Sequence, residues 1–116
     1  MKQSVVVSTE NAEHYRWGEQ CDGWHLAKSA SLSVIQEHVP PGAREVRHHH
    51  ERSEQFFFVL SGVATLEVEG TRYALSAQQG FAVAPGQAHC LSNETDQSLS
   101  FIVISTPPSH GDRVPA

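Results

Sequence analysis

The stretch GAREVRHHHERSEQFFFVLSG (residues 42–62) places three consecutive histidines shortly before an apolar run, in the middle of a 116-residue chain. Successive side chains of a strand point to opposite faces, so His48 and His50 share a face and His49 lies on the other. Two imidazoles at this spacing can approach one metal ion together, and His89 is the natural third from another strand. The pair alone is a weak signal, because two surface histidines on a strand edge explain it equally well.

Short alternating runs, separated by Gly, Pro and Asn, flank the histidines on both sides. The clearest are SLSVIQEHV (31–39), VATLEVEGTRYAL (63–75) and SLSFIVIS (98–105). The run QFFFVL (55–60) is apolar on both faces, as in a strand buried between two layers, and a first strand is predicted at residues 4–9. No segment beyond residue 30 shows a helical apolar period. The spacing of strands and turns therefore predicts an all-β, antiparallel sandwich or barrel.

The chain length fits a single domain with three parts. Residues 1–30 are interpreted as an N-terminal strand and a loop-rich arm with two aromatic anchors, Trp17 and Trp24. Residues 31–106 form the predicted barrel. Residues 107–116 are predicted to be an irregular, exposed tail.

Composition and charge exclude several classes of partner. The net charge is -5 with only 8 Lys and Arg residues, and no basic run is present, so a nucleic-acid partner is not expected. The longest apolar runs are far too short to cross a bilayer, so no membrane partner is expected either. The first residues lack the apolar core of a signal peptide, and the two cysteines fit a reducing compartment. A cytoplasmic location is therefore predicted.

Two motifs resemble those of the cupin superfamily of small β-barrels. The first family motif runs from a glycine through five residues to His-x-His, then to a glutamate and a closing glycine. In this sequence Gly42 is followed by five residues and then by His48 and His50, and Gly62 closes the motif. The counts from His50 and from Gly62 both place Gln55 where the family has its glutamate.

The second motif lies in APGQAHCLSN (residues 84–93). Its glycine, histidine and asparagine are present at the family's offsets as Gly86, His89 and Asn93, whereas Ala84 and Gln78 depart from the family's proline and glycine. The resemblance covers roughly residues 31–106. It implies an antiparallel β-barrel of the double-stranded β-helix (jelly-roll) type, with a polar pocket at one mouth.

The resemblance also implies one divalent transition metal ion, Zn, Fe, Ni, Mn or Cu, held by His48, His50, Gln55 and His89. An amide oxygen can serve as a ligand. Glu54 is the alternative fourth ligand, because a carboxylate binds divalent metals better than an amide does. Adjacent strand positions face opposite sides, so only one of these two side chains can look inward, and the count from Gly62 favours Gln55.

Three imidazoles and an amide are neutral, so such ligands leave the charge of the ion uncompensated and favour anionic ligands. The predicted function is a metal-dependent enzyme, an oxygenase, isomerase or lyase, that acts on a small anionic organic acid or sugar acid. The alternative is a non-catalytic protein that binds or senses a metal or small ligand. A vestigial site that has lost its metal is a third hypothesis.

Four further side chains are weaker candidates for the pocket. Gln36 and His38 share a strand face, on which Gln36 could hydrogen-bond a substrate and His38 could shuttle a proton. Phe57 could form an apolar wall, and Tyr73 could donate to a ligand. Ordinary structural roles explain all four at least as well. Related cupins often pack their arm on a partner subunit, so the resemblance implies a homodimer.

Overall fold

The computed structural model describes residues 5–116, in which eleven strands and no helix occur. The strands are β1 (Glu13–Trp17), β2 (Cys21–Lys28), β3 (Ser33–Val39), β4 (His48–His50), β5 (Glu54–Ser61), β6 (Ala64–Val68), β7 (Thr71–Leu75), β8 (Gly80–Val83), β9 (His89–Ser92), β10 (Leu99–Thr106) and β11 (Arg113–Pro115). The described part of the chain holds no helix long and apolar enough to cross a membrane.

The strands form two antiparallel sheets. The six-stranded sheet has the order β1-β2-β3-β10-β5-β8, and the five-stranded sheet has the order β11-β4-β9-β6-β7. The all-β jelly roll predicted from the sequence is confirmed, as two sheets rather than one closed cylinder. This topology places the histidine strands β4 and β9 in one sheet and β5 in the other.

The core lies between the sheets and is built by alternation along the strands. Phe57, Phe101 and Val103 come from the six-stranded sheet, and Leu66 and Leu91 come from the five-stranded sheet. Each is at most 5% exposed. Burial of such side chains stabilises the fold by about 1.5–3 kcal/mol each, so the sandwich needs no metal to bring its sheets together.

Gly62 marks the turn between β5 and β6, and its backbone requires glycine. Its φ angle is 84°, in the left-handed region, and a Cβ atom at this position would collide with the carbonyl oxygen of Ser98. The glycine that closes the first motif is therefore explained by backbone geometry.

The N-terminal arm is a β-hairpin and not the loop-rich segment predicted. β1 pairs with β2 from Glu13↔His25 to Trp17↔Cys21, and β2 pairs with β3. An irregularity between His25 and Ala27 shifts the register of β2 against β3, which breaks the alternation that would have revealed a strand. Of the strand predicted at residues 4–9, residues 5–9 form none, and Ser4 lies outside the described residues.

The C-terminal tail also differs from the prediction. β11 pairs with β4, with Arg113 opposite His50, and Asp112 is buried. The strand has three residues and includes Pro115, too short a run for an alternating pattern to show. The tail thus becomes the outer strand beside the histidine strand.

Candidate metal centre

Three histidines meet where β4 and β9 pair. His48 lies directly opposite His89 in the strand register, and His50 shares the face of His48. Their ring centroids lie 4.5–5.7 Å apart, and one nitrogen of each ring lies within 4.8 Å of the others. All three are buried. The group could hold one metal ion.

Hydrogen bonds to the backbone fix the orientation of each imidazole. In each ring Nδ1 lies near a carbonyl oxygen: His48 near Val46 at 2.7 Å, His50 near Asp112 at 3.2 Å, and His89 near Gln87 at 3.0 Å. A carbonyl oxygen only accepts hydrogen bonds, so each Nδ1 carries the proton and donates it. The lone pair then resides on Nε2 of each ring, as a metal ligand requires.

Burial keeps these imidazoles neutral. It lowers the pKa of His48 to about 3, and it also lowers the pKa values of His50 and His89. Glu45 lies 3.9 Å from Nδ1 of His48, but a neutral imidazole makes no ion pair with it. The three rings are therefore in the protonation state that binds metal near neutral pH.

Gln55 lies on β5 in the opposite sheet and lines one cavity with His48 and His50. Its Nε2 donates to Oγ of Ser105 at 3.0 Å, while its Oε1 is buried without a hydrogen-bond partner. Nε2 of His89 is also buried without one. Buried polar atoms nearly always have partners, so each of these two atoms is available as a ligand of a metal ion. Glu54 is exposed, because the next strand position points away from the cavity.

The identity of the side chain at position 55 is expected to set the metal affinity. Replacing Gln55→Glu adds a negative charge among the ligands and should tighten the binding of Zn²⁺ at least ~10-fold. Competition with a coloured chelator at pH 7 measures the change. Glu54→Gln is the matched control and should leave the affinity unchanged. Equal affinities for Gln55→Glu and the unmodified protein would exclude Gln55 as a ligand.

A cavity of about 240 Å³ opens beside the histidines, and His48, His50, Gln55 and Phe57 are among the residues that line it. His89 lies deeper, with only 1% of its surface exposed. Phe57 is therefore a wall of the cavity, where the sequence placed it. A cavity of this volume suits a small metabolite.

Two carboxyl groups that the sequence analysis did not select also line this cavity, Glu37 and Glu45. Burial raises the pKa of Glu37 to about 7 and that of Glu45 to about 8, and the nearby Glu37 adds to the shift at Glu45. One hydrogen bond to each carboxyl group partly offsets this rise in pKa: Tyr15 donates to Glu37, and the Leu91 amide donates to Glu45. The ligands are neutral as expected, but the cavity around them is not free of negative charge.

Asp112 holds the loop that separates the His-x-His pair from Gln55. Its carboxylate accepts the backbone N–H groups of Glu51, Arg52 and Ser53 at 2.9–3.2 Å. Those hydrogen bonds lower the pKa of Asp112. Because its backbone oxygen also accepts from His50, one residue connects the tail, the loop and a candidate ligand.

Removal of this carboxylate should weaken both the fold and the metal centre. Asp112→Ala leaves three backbone donors without their acceptor, and we expect the melting temperature to fall by about 5 °C or more. Metal affinity should fall ~10–100-fold. Thermal unfolding and chelator competition measure these effects, with the exposed Asp96→Ala as control. An unchanged metal affinity would show that the loop does not support the ligands.

Three of the weaker candidates lie away from the cavity. Gln36 and His38 lie on the outward face of β3, because Ile35 and Glu37 are the residues of that strand that face the cavity. Tyr73 is 37% exposed on β7 and packs on Phe81 at 4.4 Å between ring centroids. The structure therefore does not bring Gln36, His38 or Tyr73 to this cavity. In β3 the residues that line it are those of the opposite parity to Gln36 and His38.

Most of the remaining cavity residues come from the segments interpreted as arm and tail, whereas Val103 and Ser105 come from β10. Tyr15 and Trp17 reach it from β1, and His110 and Arg113 reach it from the tail. Nε1 of Trp17 is buried without a hydrogen-bond partner, which adds a free donor near the cavity. No sequence motif indicates these residues. The one available signal was in β3, where Glu37 lies on the same strand face as the apolar Ile35 and could have been predicted to point inward.

Comparison with known proteins agrees with this architecture. The chain is 24% identical over 89 residues to the uncharacterized protein MJ1618 of Methanocaldococcus jannaschii, which covers 76% of this chain and 71% of that protein. Its fold is similar to that of KdgF from Halomonas sp., with a TM-score of 0.83 at 19% identity over 91% of this chain and 96% of that one. The polyketide cyclase RemF from Streptomyces resistomycificus gives a TM-score of 0.80 at 17% identity, over 97% and 83% of the two chains.

The family is established by a direct match. Residues 35–105, more than half of the chain, match the family described as Cupin domain, and this span includes both histidine strands and β5. The chain belongs to the cupin family.

Proposed function

We propose that this protein binds one divalent transition metal ion through His48, His50, His89 and Gln55 and uses it as an enzyme on a small anionic organic acid. The observation that carries the proposal is the pair of buried, unpartnered ligand atoms, Oε1 of Gln55 and Nε2 of His89. They belong to opposite sheets. His89 is part of the only cluster of potential His, Cys, Asp or Glu ligands found among residues 5–116, and Gln55 lines one cavity with the other two members, His48 and His50.

The chemistry of the cavity supports an enzyme over a simple binding protein. A bound divalent ion supplies Lewis-acid polarisation of a carbonyl group. The protein itself adds Glu37, a partly buried carboxyl whose pKa is raised to about 7, which is the range expected of a general acid or base. The polyketide cyclase RemF, with the same fold, is named as an enzyme.

The proposed substrate is a small molecule with a carboxylate. The cavity volume of about 240 Å³ limits its size, and the ion together with Arg113 attracts negative charge. Protonation of Glu37 and Glu45 reduces the opposing charge near neutral pH. We also propose that the protein works in a reducing compartment such as the cytoplasm, because Cys21 and Cys90 are both free thiols.

The test begins with metal-free protein. Titration with Zn²⁺, Mn²⁺, Ni²⁺, Cu²⁺ and anaerobic Fe²⁺ is expected to show one ion per chain, followed by thermal stabilisation by 2-oxo acids, hydroxy acids and sugar acids. Mass spectrometry then detects products. Tight binding without any product would favour a sensor or binding protein. Failure of every metal to bind contradicts the proposal.

We also propose a homodimer formed through the outward face of the six-stranded sheet. Phe56 and Phe58 stack there at 6.3 Å between ring centroids, beside Ile102 and Ile104 on β10. These positions are uncharged, so a second copy can oppose this face without like-charge repulsion. Sedimentation velocity should show a dimer for the unmodified protein and a monomer for Phe56→Glu. A monomer at ~100 μM unmodified protein would refute the dimer.

A further inference from the structure

We propose that Glu37 transfers the proton on the carbon next to the carbonyl group of a 2-oxo acid bound at the metal centre, and that Tyr15 positions Glu37 for this transfer. The inference rests on the proposed function, since it needs the metal centre to hold the substrate. It adds the proton-transfer group and the class of substrate.

The position of Glu37 is the first argument. It lies on β3 in the six-stranded sheet, and the histidines lie on the other sheet, yet Glu37, His48 and His50 line one cavity. A substrate in that cavity therefore has the candidate histidine ligands on one sheet, and the carboxyl group of Glu37 together with Gln55 on the other. An acid or base serves best when it is separate from the ligands but reaches the same bound molecule.

The hydrogen bonding of Glu37 is the second argument. Its Oε2 accepts from the Tyr15 hydroxyl at 3.0 Å, whereas its Oε1 forms no hydrogen bond with any residue in the described range 5–116. The Tyr15 ring packs over Gly23 on the neighbouring strand, where a Cβ atom would collide with the ring. Glycine thus makes room for the tyrosine, which fixes one oxygen of the carboxyl group and leaves the other free.

The charged and titratable groups that face Glu37 are the third argument. Tyr15 lies on β1, Cys21 on β2, Glu45 precedes β4, and Arg113 lies on β11. Burial raises the pKa of Glu37 to about 7, while the Tyr15 hydrogen bond and Arg113 oppose the rise. Burial and Glu37 itself raise the pKa of Tyr15, so the phenol stays protonated and remains the donor. Glu37 can therefore accept or release a proton near neutral pH.

The transfer balances without a co-reactant. Oε1 of the carboxylate takes a proton from C3 of the 2-oxo acid, the C–H electron pair becomes the C2–C3 π bond, and the carbonyl π pair moves onto oxygen. Reversal returns a proton from the carboxylic acid to C3. In D₂O the carboxyl group exchanges with solvent between the two steps, so C3 acquires deuterium while the oxo acid is otherwise unchanged.

Deuterium exchange tests the transfer. Protein loaded separately with Zn²⁺, Mn²⁺ or Ni²⁺ is incubated in D₂O with pyruvate or 2-oxobutyrate, and mass spectrometry follows deuterium uptake at C3. We expect uptake with at least one metal, and Glu37→Gln should reduce its rate ~100-fold or more. The exposed Glu54→Gln is the matched control and should exchange at the unmodified rate. Metal affinity is measured for each variant.

A second readout uses metal-free protein and does not depend on turnover. Infrared spectroscopy follows the C=O band of protonated buried carboxyl groups during a pH titration. Glu37→Gln should abolish a band that titrates near pH 7, and Tyr15→Phe should move its midpoint to higher pH, because the lost hydrogen bond favours the ionised form. A role for Tyr15 in packing alone would leave that midpoint in place.

The outcomes separate this inference from the proposed function. Failure of every metal to bind contradicts the proposed function itself. If the unmodified protein binds metal but exchanges no deuterium, the inference is overturned and the proposed metal centre stands. The same holds if Glu37→Gln exchanges deuterium as fast as the unmodified protein. The inference is likewise overturned if no band assigned to Glu37 titrates between pH 6 and 8.

Discussion

Replacing His89→Ala is expected to lower the affinity for a divalent transition metal more than ~100-fold. The substitution removes a side chain that binds the metal directly. Loss of a group that only supports a ligand already lowers the metal affinity ~10–100-fold. The ring is 1% exposed and its Nε2 has no partner within the protein. Because the position is buried, a water molecule cannot easily take the place of the lost imidazole as a metal ligand. Isothermal titration of metal-free protein with Zn²⁺ measures the effect.

His49→Ala is the matched control for this prediction. His49 belongs to the same three-residue strand but points away from His48 and His50, so its removal should leave the metal affinity within about twofold. Thermal unfolding in the presence of a chelator establishes that both variants are folded. Unaltered Zn²⁺ binding by folded His89→Ala protein would exclude His89 from the metal centre.

Replacing Glu37→Gln is expected to stabilise the metal-free protein at high pH. The pKa of Glu37 is about 7 in the folded protein, against an ordinary value of 4.5, so the folded state binds more protons than the unfolded state between these values. The free energy of unfolding therefore falls as the pH rises through this interval, by up to about 3 kcal/mol. Glutamine stays neutral and avoids this loss.

Urea unfolding with EDTA at pH 4.5 and pH 8.5 measures this effect. Glu37→Gln should have nearly the free energy of unfolding of the unmodified protein at pH 4.5 and a higher one at pH 8.5. Glu54→Gln, the same chemical change on an exposed side chain, should show no such gain. A Glu37→Gln protein that is less stable than the unmodified one at pH 8.5 would mean that the ionised carboxylate stabilises the fold.

Sequence motifs predict the histidines because strand alternation and backbone turns fix them locally. His48 and His50 share a face through the two-residue repeat of a strand, and Gly62 is required by its positive φ angle and its close approach to Ser98. The same count from Gly62 selects Gln55, which the structure places in the cavity while Glu54 faces outward. Positions set by short-range geometry are thus readable in the sequence.

The rest of the cavity depends on long-range pairing that no local pattern encodes. Tyr15 reaches the cavity only because β2 carries β1 onto the edge of the sheet, and Arg113 because a three-residue strand adds to β4. In β3 the two faces are similarly mixed in polarity, so the sequence did not distinguish Glu37 from Gln36 as the inward residue. The charged groups of the cavity, such as Glu37 and Arg113, could therefore not be predicted from the sequence.

The most direct test of the metal centre is a crystal structure of untagged, metal-loaded protein with anomalous data collected on both sides of the absorption edge of the bound metal. The account predicts one anomalous peak per chain, within bonding distance of Nε2 of His48, His50 and His89 and of Oε1 of Gln55. A loaded crystal with no peak among these four atoms, or with the ion bound instead by Glu54, would contradict it.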